Sequence, residues 1–465
     1  MTAKRKPQRL LLGLNRFVVA ILLFSICFSL CGCNTDAPAF NNNAAAEGIE
    51  EETIGERQET EEATRSGERE QIGANVEAET TTSDIAAEVP ETVAQLKQIN
   101  AQAPEEPHIH EWVGDICIGC GNLCGHLVHD ENAICAECGM QVWHVYDLET
   151  NKCKICGHEW TMERSWMEEE WYLPIAEHKG DTQRFEIPTP NMGKLARKLI
   201  EVYIPYDYDP SRQYDVLMLF SGLQAPYNSF ISDIKYDWRR EQDKSIIMRN
   251  IWDNMIERGY CKPMIICSIS TYTLDSYVLR NRPDYNEQTD FEGEGQLDKY
   301  WYLEDTVRDY VFPFLIENFS TYANSTDPKD IEAARRHFCI GGFSNGGYFT
   351  VYSAMTGLYN YVSSFLPIAG SHSGHGAGNA LHENWEQYPT DLVYFGCGLA
   401  DDKAYQKTRK DYKGLQESCE ELVEGVNLRW DSPPDFGHDW DTGSTVLFNA
   451  VQLLFCWNDD VGTIT

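Results

Sequence analysis

A glycine-flanked serine is the residue of this chain with the clearest potential for chemistry. Ser344 lies in the segment Gly-Phe-Ser-Asn-Gly at residues 342–346, between the strand-like run RRHFCIGG and the helix-like run YFTVYSAMTG. Such a turn is so sharp that a Cβ on either flanking glycine would collide with the strand or the helix, and the serine is forced out over the sheet edge. The N-terminus of the helix that follows would stabilise negative charge there. The pattern therefore predicts Ser344 as a nucleophile.

The base and the acid that would activate this serine also have candidates, in the order expected after such an elbow. A serine hydroxyl is a poor nucleophile unless a base removes its proton and a carboxylate orients that base. Asp401 and Asp402 follow the strand-like run LVYFGCGL, and His438, in the loop DFGHDWDTG, is the only histidine after His382. We expect His438 to be the general base and one of the two carboxylates to orient it.

An oxyanion hole would complete this unit, because two backbone N–H groups must face the negative charge that develops on the substrate. Asn345, directly after the nucleophile, is expected to supply one of them. The loop after the strand-like run DVLMLF contains Ser221, Gly222 and Leu223. We expect Leu223 to supply the second N–H group.

The elements around these residues predict an α/β domain over residues 163–465. Helix-like stretches such as SIIMRNIWDNMIERG and TVRDYVFPFLIENF alternate with apolar runs, which are KLIEVYIP, DVLMLFSG, PMIICSIS, HFCIGGFS, SSFLPIAG and LVYFGCGL. Continuous apolar strands separated by helices indicate a mostly parallel sheet covered on both faces, in three layers. Ligands of such sheets lie beyond the carboxyl ends of the strands, where the candidate residues stand.

This domain resembles the feruloyl esterase and acetyl xylan esterase branch of the carbohydrate esterases, a group of α/β-hydrolases that includes esterase D-like proteins. The resemblance covers most of residues 195–460. It rests on the segments VYIPYDYDPSRQYDVLMLFSG, DNMIERGYCKPMIICSIS, VFPFLIENFSTYA, RRHFCIGGFSNGG, GCGLADDKAY and GHDWDTG. Two positions depart from the family pattern: Ser221 precedes Gly222 where histidine is usual, and Asn345 stands where methionine is frequent. Both departures bear on the acyl pocket.

The resemblance implies Ser344 as nucleophile, His438 as base and Asp401 as acid, with Asp402 as the alternative. It implies hydrolysis of feruloyl or acetyl esters on plant cell-wall polysaccharides through an acyl-enzyme, with no cofactor for catalysis. Two other functions stay open: a serine hydrolase or acyltransferase acting on another ester or on a peptide, and a non-catalytic surface-binding module. The presence of the serine, the acid and the histidine disfavours the last.

Residues 108–160 form a cysteine- and histidine-rich segment that predicts metal binding. It contains three Cys-x-x-Cys-Gly knuckles, in the runs CIGCGNLCGH, CAECGMQVWH and CKICGHEW. Each knuckle presents two thiolates to one ion, and zinc takes four thiolate or imidazole ligands in a tetrahedron. The expected ligands are Cys117, Cys120, His126, Cys135, Cys138, His144, Cys153, Cys156 and His158. Cys124 is left as a ligand or a free thiol, and His110 and His129 precede the first two knuckles.

A disulfide framework is the alternative for this segment, since an exported protein would permit it. The histidines recur in register with the cysteines, and disulfides have no use for them, which favours structural zinc. The segment has few apolar residues, so without a cross-link it has little reason to fold. We expect a small zinc-binding spacer or attachment module that is similar to the zinc-ribbon repeats of bacterial surface proteins.

The first 107 residues are expected to export and tether the rest. Residues 1–33 have a basic start, an apolar run and then Leu-Cys-Gly-Cys, which resembles a bacterial lipobox with Cys33 as the lipidated first residue of the mature protein. An ordinary cleaved signal and an uncleaved anchor helix are the alternatives. Residues 34–107 carry 18 acidic and 4 basic side chains and almost no aromatic ones, so they predict a disordered linker.

The charge of the chain bears on its partners. A formal net charge of −35 argues against nucleic acid, because phosphate binding needs clustered lysine and arginine. The expected partners are a plant polysaccharide or its feruloylated or acetylated oligosaccharides, and a membrane through the lipid anchor. The expected location is the extracellular face of the bacterial membrane, or the medium.

Overall fold

The computed structural model of the chain describes residues 112–113, 116–117, 124, 126, 128–165, 167–191, 194–223, 225–236, 245–271 and 303–456. The expected signal peptide, the lipidation site Cys33 and the acidic linker lie outside these residues. Cys120 also lies outside them, and of Cys117 only the backbone is described. Within the described ranges, no helix has both the length and the apolar character needed to cross a membrane.

The strands of the described ranges fall into one large sheet and three short pairs. In chain order they are β1 (Trp112–Val113), β2 (Ile116–Cys117), β3 (Tyr146–Asp147), β4 (Lys152–Cys153), β5 (Asp181–Asn191), β6 (Lys194–Ile204), β7 (Val216–Phe220), β8 (Ile234–Tyr236), β9 (Ser245–Ile247), β10 (Ile265–Ile269), β11 (Phe338–Phe343), β12 (Ser364–Ile368), β13 (Leu392–Gly396) and β14 (Leu428–Asp431). The short pairs are β1 with β2, β3 with β4, and β8 with β9, and all three are antiparallel.

The large sheet has the strand order β14-β13-β12-β11-β7-β10-β6-β5. Strand β7 pairs in parallel with β10 and β11, and parallel pairing continues through β12 and β13 to β14. Strand β6 instead runs antiparallel to β10 and to the edge strand β5. The predicted mostly parallel sheet is confirmed, with an antiparallel pair added at one edge.

Helices follow most of the parallel strands. In chain order they are α1 (Met248–Glu257), α2 (Leu303–Thr306), α3 (Phe312–Asn318), α4 (Pro328–Ala333), α5 (Asn345–Phe349), α6 (Met355–Gly357), α7 (Gly374–Glu383), α8 (Tyr405–Ser418) and α9 (Trp440–Val451). A wider, π-helical turn at Val307–Val311 joins α2 to α3, and another at Thr350–Ala354 joins α5 to α6.

Successive residues of the buried strand β7 face opposite sides of the sheet and belong to two different cores. Val216, Met218 and Phe220 pack in a core that includes apolar residues of α2, α3, α7 and α8. Leu217 and Leu219 pack in a second core that includes residues of α1 and α9. Because both faces of the sheet are covered by helices, the domain has three layers, which confirms the predicted α/β-hydrolase fold class.

Candidate active site

The loops that carry the candidate catalytic residues leave the sheet at one edge. Leu223 follows β7, Ser344 follows β11, Asp401 follows β13 and His438 follows β14. These four strands are parallel, so their carboxyl ends meet at the same edge of the sheet. The topology therefore brings together residues that are far apart in the sequence.

The backbone around Ser344 is held in an uncommon conformation. Its φ is 58° and its ψ is −111°, a region that residues with a Cβ seldom adopt. A Cβ on Gly342 would lie 2.5 Å from the carbonyl oxygen of Phe220, and one on Gly346 would overlap the same oxygen. The Ser344 N–H donates to the carbonyl of Ile368 at 2.8 Å. The two glycines allow the strand and helix to approach this closely, and the serine side chain is left at the sheet edge.

The three predicted catalytic side chains form a hydrogen-bonded chain. His438 Nε2 lies 3.0 Å from Ser344 Oγ, and His438 Nδ1 lies 2.6 Å from Asp401 Oδ2. With Nδ1–H donating to the carboxylate, Nε2 is the nitrogen that accepts the proton of the hydroxyl. Asp402 is exposed to solvent. Of the two candidate acids, the structure therefore places Asp401 against the imidazole.

The carboxylate of Asp401 is buried and held by several donors. Its Oδ1 accepts the backbone N–H groups of Lys403 at 3.0 Å and Ala404 at 2.9 Å. Burial alone would raise the pKa of Asp401, but the hydrogen bonds from His438 and from these N–H groups outweigh it and hold this pKa below its ordinary value. The carboxylate is therefore ionised at neutral pH and can stabilise a positively charged imidazole.

The loops that carry the acid and the base are fixed by hydrogen bonds. The N–H of Ala400, in the acid loop, donates to the carbonyl of Phe436, in the base loop, at 2.9 Å. Directly after the base, Asp439 caps helix α9 by accepting the N–H of Thr442 at 3.0 Å, and its other oxygen accepts the N–H of Gly437 at 3.0 Å. Hydrogen bonds therefore fix the turn that carries His438 on both sides of this residue.

The two predicted oxyanion donors lie on segments that flank the nucleophile. Asn345 is the first residue of α5, where backbone N–H groups point out of the helix end. In the β7 loop, a Cβ on Gly222 would lie 3.3 Å from the Cβ of Ser344. Leu223 follows in the same loop and is 43% exposed. The β7 loop and the first turn of α5 thus lie against Ser344 from two sides.

A cavity of about 370 Å³ lies beside the helical segments that follow Ser344 in the sequence. Among the residues that line it are Glu304, Tyr352 and His372. The ring of His372 packs against the rings of Tyr348 and Tyr352, with centroids 4.8 Å and 4.4 Å away. None of the three catalytic candidates, all of which the structure describes, lines this cavity.

Two groups of four cysteine and histidine side chains lie in the described part of the cysteine-rich segment. Within each group the ligand atoms lie within 4.8 Å of one another, so each group could hold a metal ion. The first group consists of Cys124, His126, Cys135 and Cys138, and the second of His129, His144, Cys153 and Cys156.

The spacing of these ligand atoms fits a tetrahedral zinc ion. With Zn–S bonds of about 2.3 Å and Zn–N bonds of about 2.0–2.1 Å, two sulfurs of a tetrahedron are about 3.8 Å apart and a sulfur and a nitrogen about 3.5 Å apart. In the first group the Cys124 and Cys135 sulfurs are 3.6 Å apart, and Cys138 Sγ is 3.4 Å from His126 Nδ1. In the second group the two measured sulfur–nitrogen distances are 3.6 Å and 3.5 Å. Every cysteine whose side chain is described carries a free thiol.

The groups that contain the second and third knuckles each include one residue that was not among the expected ligands. Cys124, which the sequence left open, completes the first group, and His129 completes the second. His129 Nδ1 donates to the carbonyl of Asp130 at 3.0 Å, which leaves Nε2 for an ion. His158 lies outside both groups, and its ring stacks on the ring of His144 with centroids 4.5 Å apart.

The C-terminal domain is similar to known esterases in sequence. A family model described as Putative esterase matches residues 196–427, which include Ser344 and Asp401. Endo-1,4-beta-xylanase Y from Acetivibrio thermocellus is 28% identical over 223 residues, which are 43% of this chain and 18% of the xylanase. The chain thus spans less than a fifth of the length of this relative.

Solved structures with a similar fold include feruloyl esterases. A serine-to-alanine mutant of the feruloyl esterase module from Clostridium thermocellum, complexed with sinapinate, is 22% identical with a TM-score of 0.48, and the similarity covers 64% of this chain and 96% of that one. A ferulic acid esterase from the anaerobic fungus Anaeromyces mucronatus, in complex with ferulic acid, is 15% identical with a TM-score of 0.45 and coverages of 64% and 98%. Residues 196–427 match the putative esterase family, and this match supports the carboxylic ester hydrolase domain that the motifs predicted.

Proposed function

We propose that the chain is a serine esterase that hydrolyses feruloyl or acetyl esters on plant cell-wall polysaccharides through an acyl-enzyme on Ser344. The observation that carries the proposal is the hydrogen-bonded chain from Ser344 through His438 to Asp401, with contacts of 3.0 Å and 2.6 Å. This arrangement converts a serine hydroxyl into a nucleophile, and it lies beyond the carboxyl ends of the parallel strands, where ligands of such sheets bind.

Acylation begins when Ser344 Oγ attacks the ester carbonyl carbon. His438 Nε2 takes the hydroxyl proton as the new C–O bond forms, and the ionised Asp401 stabilises the resulting imidazolium. The negative charge on the carbonyl oxygen is stabilised by the backbone N–H groups of Leu223 and Asn345. When the tetrahedral intermediate collapses, the bond to the sugar oxygen breaks and His438 returns the proton to that oxygen, which releases the sugar alcohol.

Deacylation repeats these steps with water as the nucleophile. His438 takes a proton from water while the water oxygen attacks the acyl carbon of the Ser344 ester. Collapse of the second intermediate breaks the bond to Ser344 Oγ, and the proton returns to the serine. The products are a free carboxylic acid and the original enzyme, and no step requires a metal or an organic cofactor.

The choice of substrate rests on the resemblance to feruloyl and acetyl xylan esterases and on the relatives. The xylanase relative shares 28% identity with a segment of this chain, and the family motifs occur in order along the domain. The departures from the family pattern are Ser221, in the loop after β7, and Asn345, directly after the nucleophile. They therefore bear on which acyl group the site prefers, feruloyl or acetyl.

A panel of esters tests this proposal. The purified chain should release ferulate from feruloylated arabinoxylan fragments or acetate from acetylated xylan, and it should hydrolyse methyl ferulate or p-nitrophenyl acetate. The Ser344→Ala variant, purified in the same way, is the control for contaminating esterases. Cleavage of a peptide or transfer of an acyl group to another glycan, with no carboxylic ester hydrolysed, would contradict the proposal and support one of the alternatives.

We also propose that zinc is the metal of both Cys/His groups. One group offers three thiolates and one imidazole and the other two of each, and these are the donor sets of structural zinc sites. Four protein ligands leave no open position for substrate or water, so the ions are structural. The prediction that Cys117 and Cys120 are metal ligands stays a prediction.

Export and anchoring through Cys33 are likewise proposed. The support is the leader pattern at residues 1–33 and the acidic, aromatic-poor residues 34–107, which would hold the folded part away from a membrane. A single acyl chain binds a membrane only marginally, so stable anchoring needs more than one chain on the lipidated cysteine.

The Cys33→Ser variant should move the protein from the membrane fraction to the culture medium. The physical reason is that lipidation occurs on the cysteine thiol, and the serine variant has none. Fractionation followed by immunoblotting of the two fractions measures this, with the parent protein as the reference. Continued association of the variant with membranes would instead indicate an uncleaved anchor helix.

A further inference from the structure

The second metal group lies against the core of the esterase domain. Its ligand Cys153 and the neighbouring Tyr146 face each other in the β3–β4 pair. Both are buried, and they belong to the same apolar core as Trp252 of α1 and Phe455, which lies just beyond α9. One ligand of this group is therefore itself part of the core that covers one face of the large sheet.

Hydrogen bonds connect the hairpin and the residues beside it to the segments that follow two helices. The N–H of His144, another ligand of the group, donates to the carbonyl of Gly259, which follows α1, at 3.1 Å. Lys154, adjacent to the ligand Cys153, donates through Nζ to the carbonyl of Cys456 at 2.9 Å. These contacts join a ligand of the second group, and a residue next to another ligand, to the domain that carries the candidate active site.

A buried arginine of the large sheet contacts the turn between β3 and β4. Arg429 of strand β14 donates to the carbonyl of Leu148 at 2.6 Å and to Oδ1 of Asn151 at 2.8 Å. Its guanidinium also lies 5.5 Å from the ring centre of Trp160. If the hairpin left its position, this buried charge would lose these two acceptors and keep only the carbonyl of Val426 among its described ones, which makes the hairpin costly to displace.

The first group has a different environment. Its ligands Cys124 and Cys135 pack with Ala133 and Val142 in a small core of their own, separate from both cores of the sheet. Its segment approaches the esterase domain at Gly259, where an added Cβ would meet the backbone of Val142. The two groups thus have the same kinds of ligands, but only the second has a ligand in a core of the large sheet.

We propose that the ion bound by His129, His144, Cys153 and Cys156 is a structural part of the esterase domain, whereas the ion of the first group organises its own segment. Strands β3 and β4 have two residues each, and so short a hairpin is not stable by itself. The ion supplies the cross-link that keeps the hairpin closed and its apolar side chains in the core. This inference rests on the zinc sites proposed above, and for this part of the segment it replaces the expectation of a spacer or attachment module.

Two matched variants test the inference in the full chain. Cys138→Ser and Cys156→Ser each remove the second cysteine of a knuckle, and both cysteines are partly exposed. Elemental analysis should show that each variant has lost one zinc ion relative to the parent. The midpoint of thermal unfolding, followed by tryptophan fluorescence, should fall by about 5 °C or more in Cys156→Ser and by less than about 1 °C in Cys138→Ser.

A second measurement on the unaltered chain covers the case in which Cys156→Ser does not fold. Titration with a zinc chelator should lower the unfolding midpoint in step with the release of one ion, and added zinc should restore it. Equal midpoints for the two variants, a chelated parent with an unchanged midpoint, or a parent without bound metal would each overturn the inference. Ester hydrolysis by the untreated parent is measured separately, so failure of the proposed activity is distinguishable from failure of the metal site.

Discussion

The Ser344→Ala variant should lose ester turnover by about 10³-fold to 10⁶-fold while remaining folded, because it removes the atom that forms the acyl-enzyme. The elbow itself is set by Gly342, Gly346 and strand β11, and none of these needs the hydroxyl. The kcat for a p-nitrophenyl or feruloyl ester measures the loss. The thermal unfolding midpoint, compared with that of the parent, shows that the fold is kept.

The His438→Ala variant should lose about as much as Ser344→Ala, and the double variant should lose little more. The two side chains act as one unit through the 3.0 Å contact between Nε2 and Oγ, so removing either one disables the other. Additive losses in the double variant would mean that the serine and the histidine act independently, which would contradict the proposed mechanism.

The largest effect expected outside this pair comes from the acid. Asp401→Asn should reduce turnover by about a hundredfold or more, because the amide neither stabilises the imidazolium nor holds the imidazole with Nδ1 protonated. Asp402→Asn is the matched control, since it makes the same change one residue away in an exposed side chain. It should stay within about threefold of the parent.

Steady-state kinetics on one soluble ester compares the two variants directly. If Asp402→Asn lost the larger amount, the 2.6 Å contact of Asp401 with His438 would not be the catalytic one. Equal small losses would mean that the imidazole needs no carboxylate partner.

The candidate catalytic residues could be identified from the sequence because their signals are local and occur in a fixed order. The elbow around Ser344 is a short motif between a strand and a helix, and His438 was the single histidine in the required place. The choice between Asp401 and Asp402 could not be made from spacing alone. It depends on which carboxylate turns inward, and in the structure the N–H groups of Lys403 and Ala404 hold Asp401 in the buried position.

Two strands of the sheet were missed because their sequences do not have the pattern of buried parallel strands. Strand β5 contains Pro188 and Pro190, which a central strand would exclude, but it lies at the edge of the sheet, where one side has no partner strand. Strand β14 has four residues, and one of them is Arg429, whose charge interrupts the apolar run. The six strands with continuous apolar runs were all predicted.

The grouping of the candidate metal ligands was not deduced from the knuckles, although a longer repeat in the sequence indicates it. Cys135 and Cys153 are 18 residues apart, and so are His126 and His144. In both repeats the histidine joins the knuckle that follows it, twelve residues before the second cysteine. If each histidine is instead assigned to the knuckle that precedes it, this arrangement is not apparent. The remaining ligand of each group differs between the repeats, so no repeat could reveal it.

The proposed boundary between the cysteine-rich segment and the esterase domain depends on contacts that no local pattern records. Arg429 and Leu148 are 281 residues apart in the chain, yet they share a hydrogen bond. Only the folded sheet brings the edge strand β14 to the β3–β4 turn. A fragment beginning at residue 163 would therefore lack part of the core that Tyr146 and Cys153 complete.

Covalent labelling of the nucleophile tests the central claim most directly. A fluorophosphonate ester reacts with an activated serine and mimics the acylation step, so one equivalent should abolish hydrolysis of every ester that the enzyme cleaves. Peptide mapping by mass spectrometry should then place the added mass on Ser344, and the His438→Ala variant should react far more slowly. Label on a different residue in the inactivated enzyme, or full activity with Ser344 fully labelled, would contradict the account.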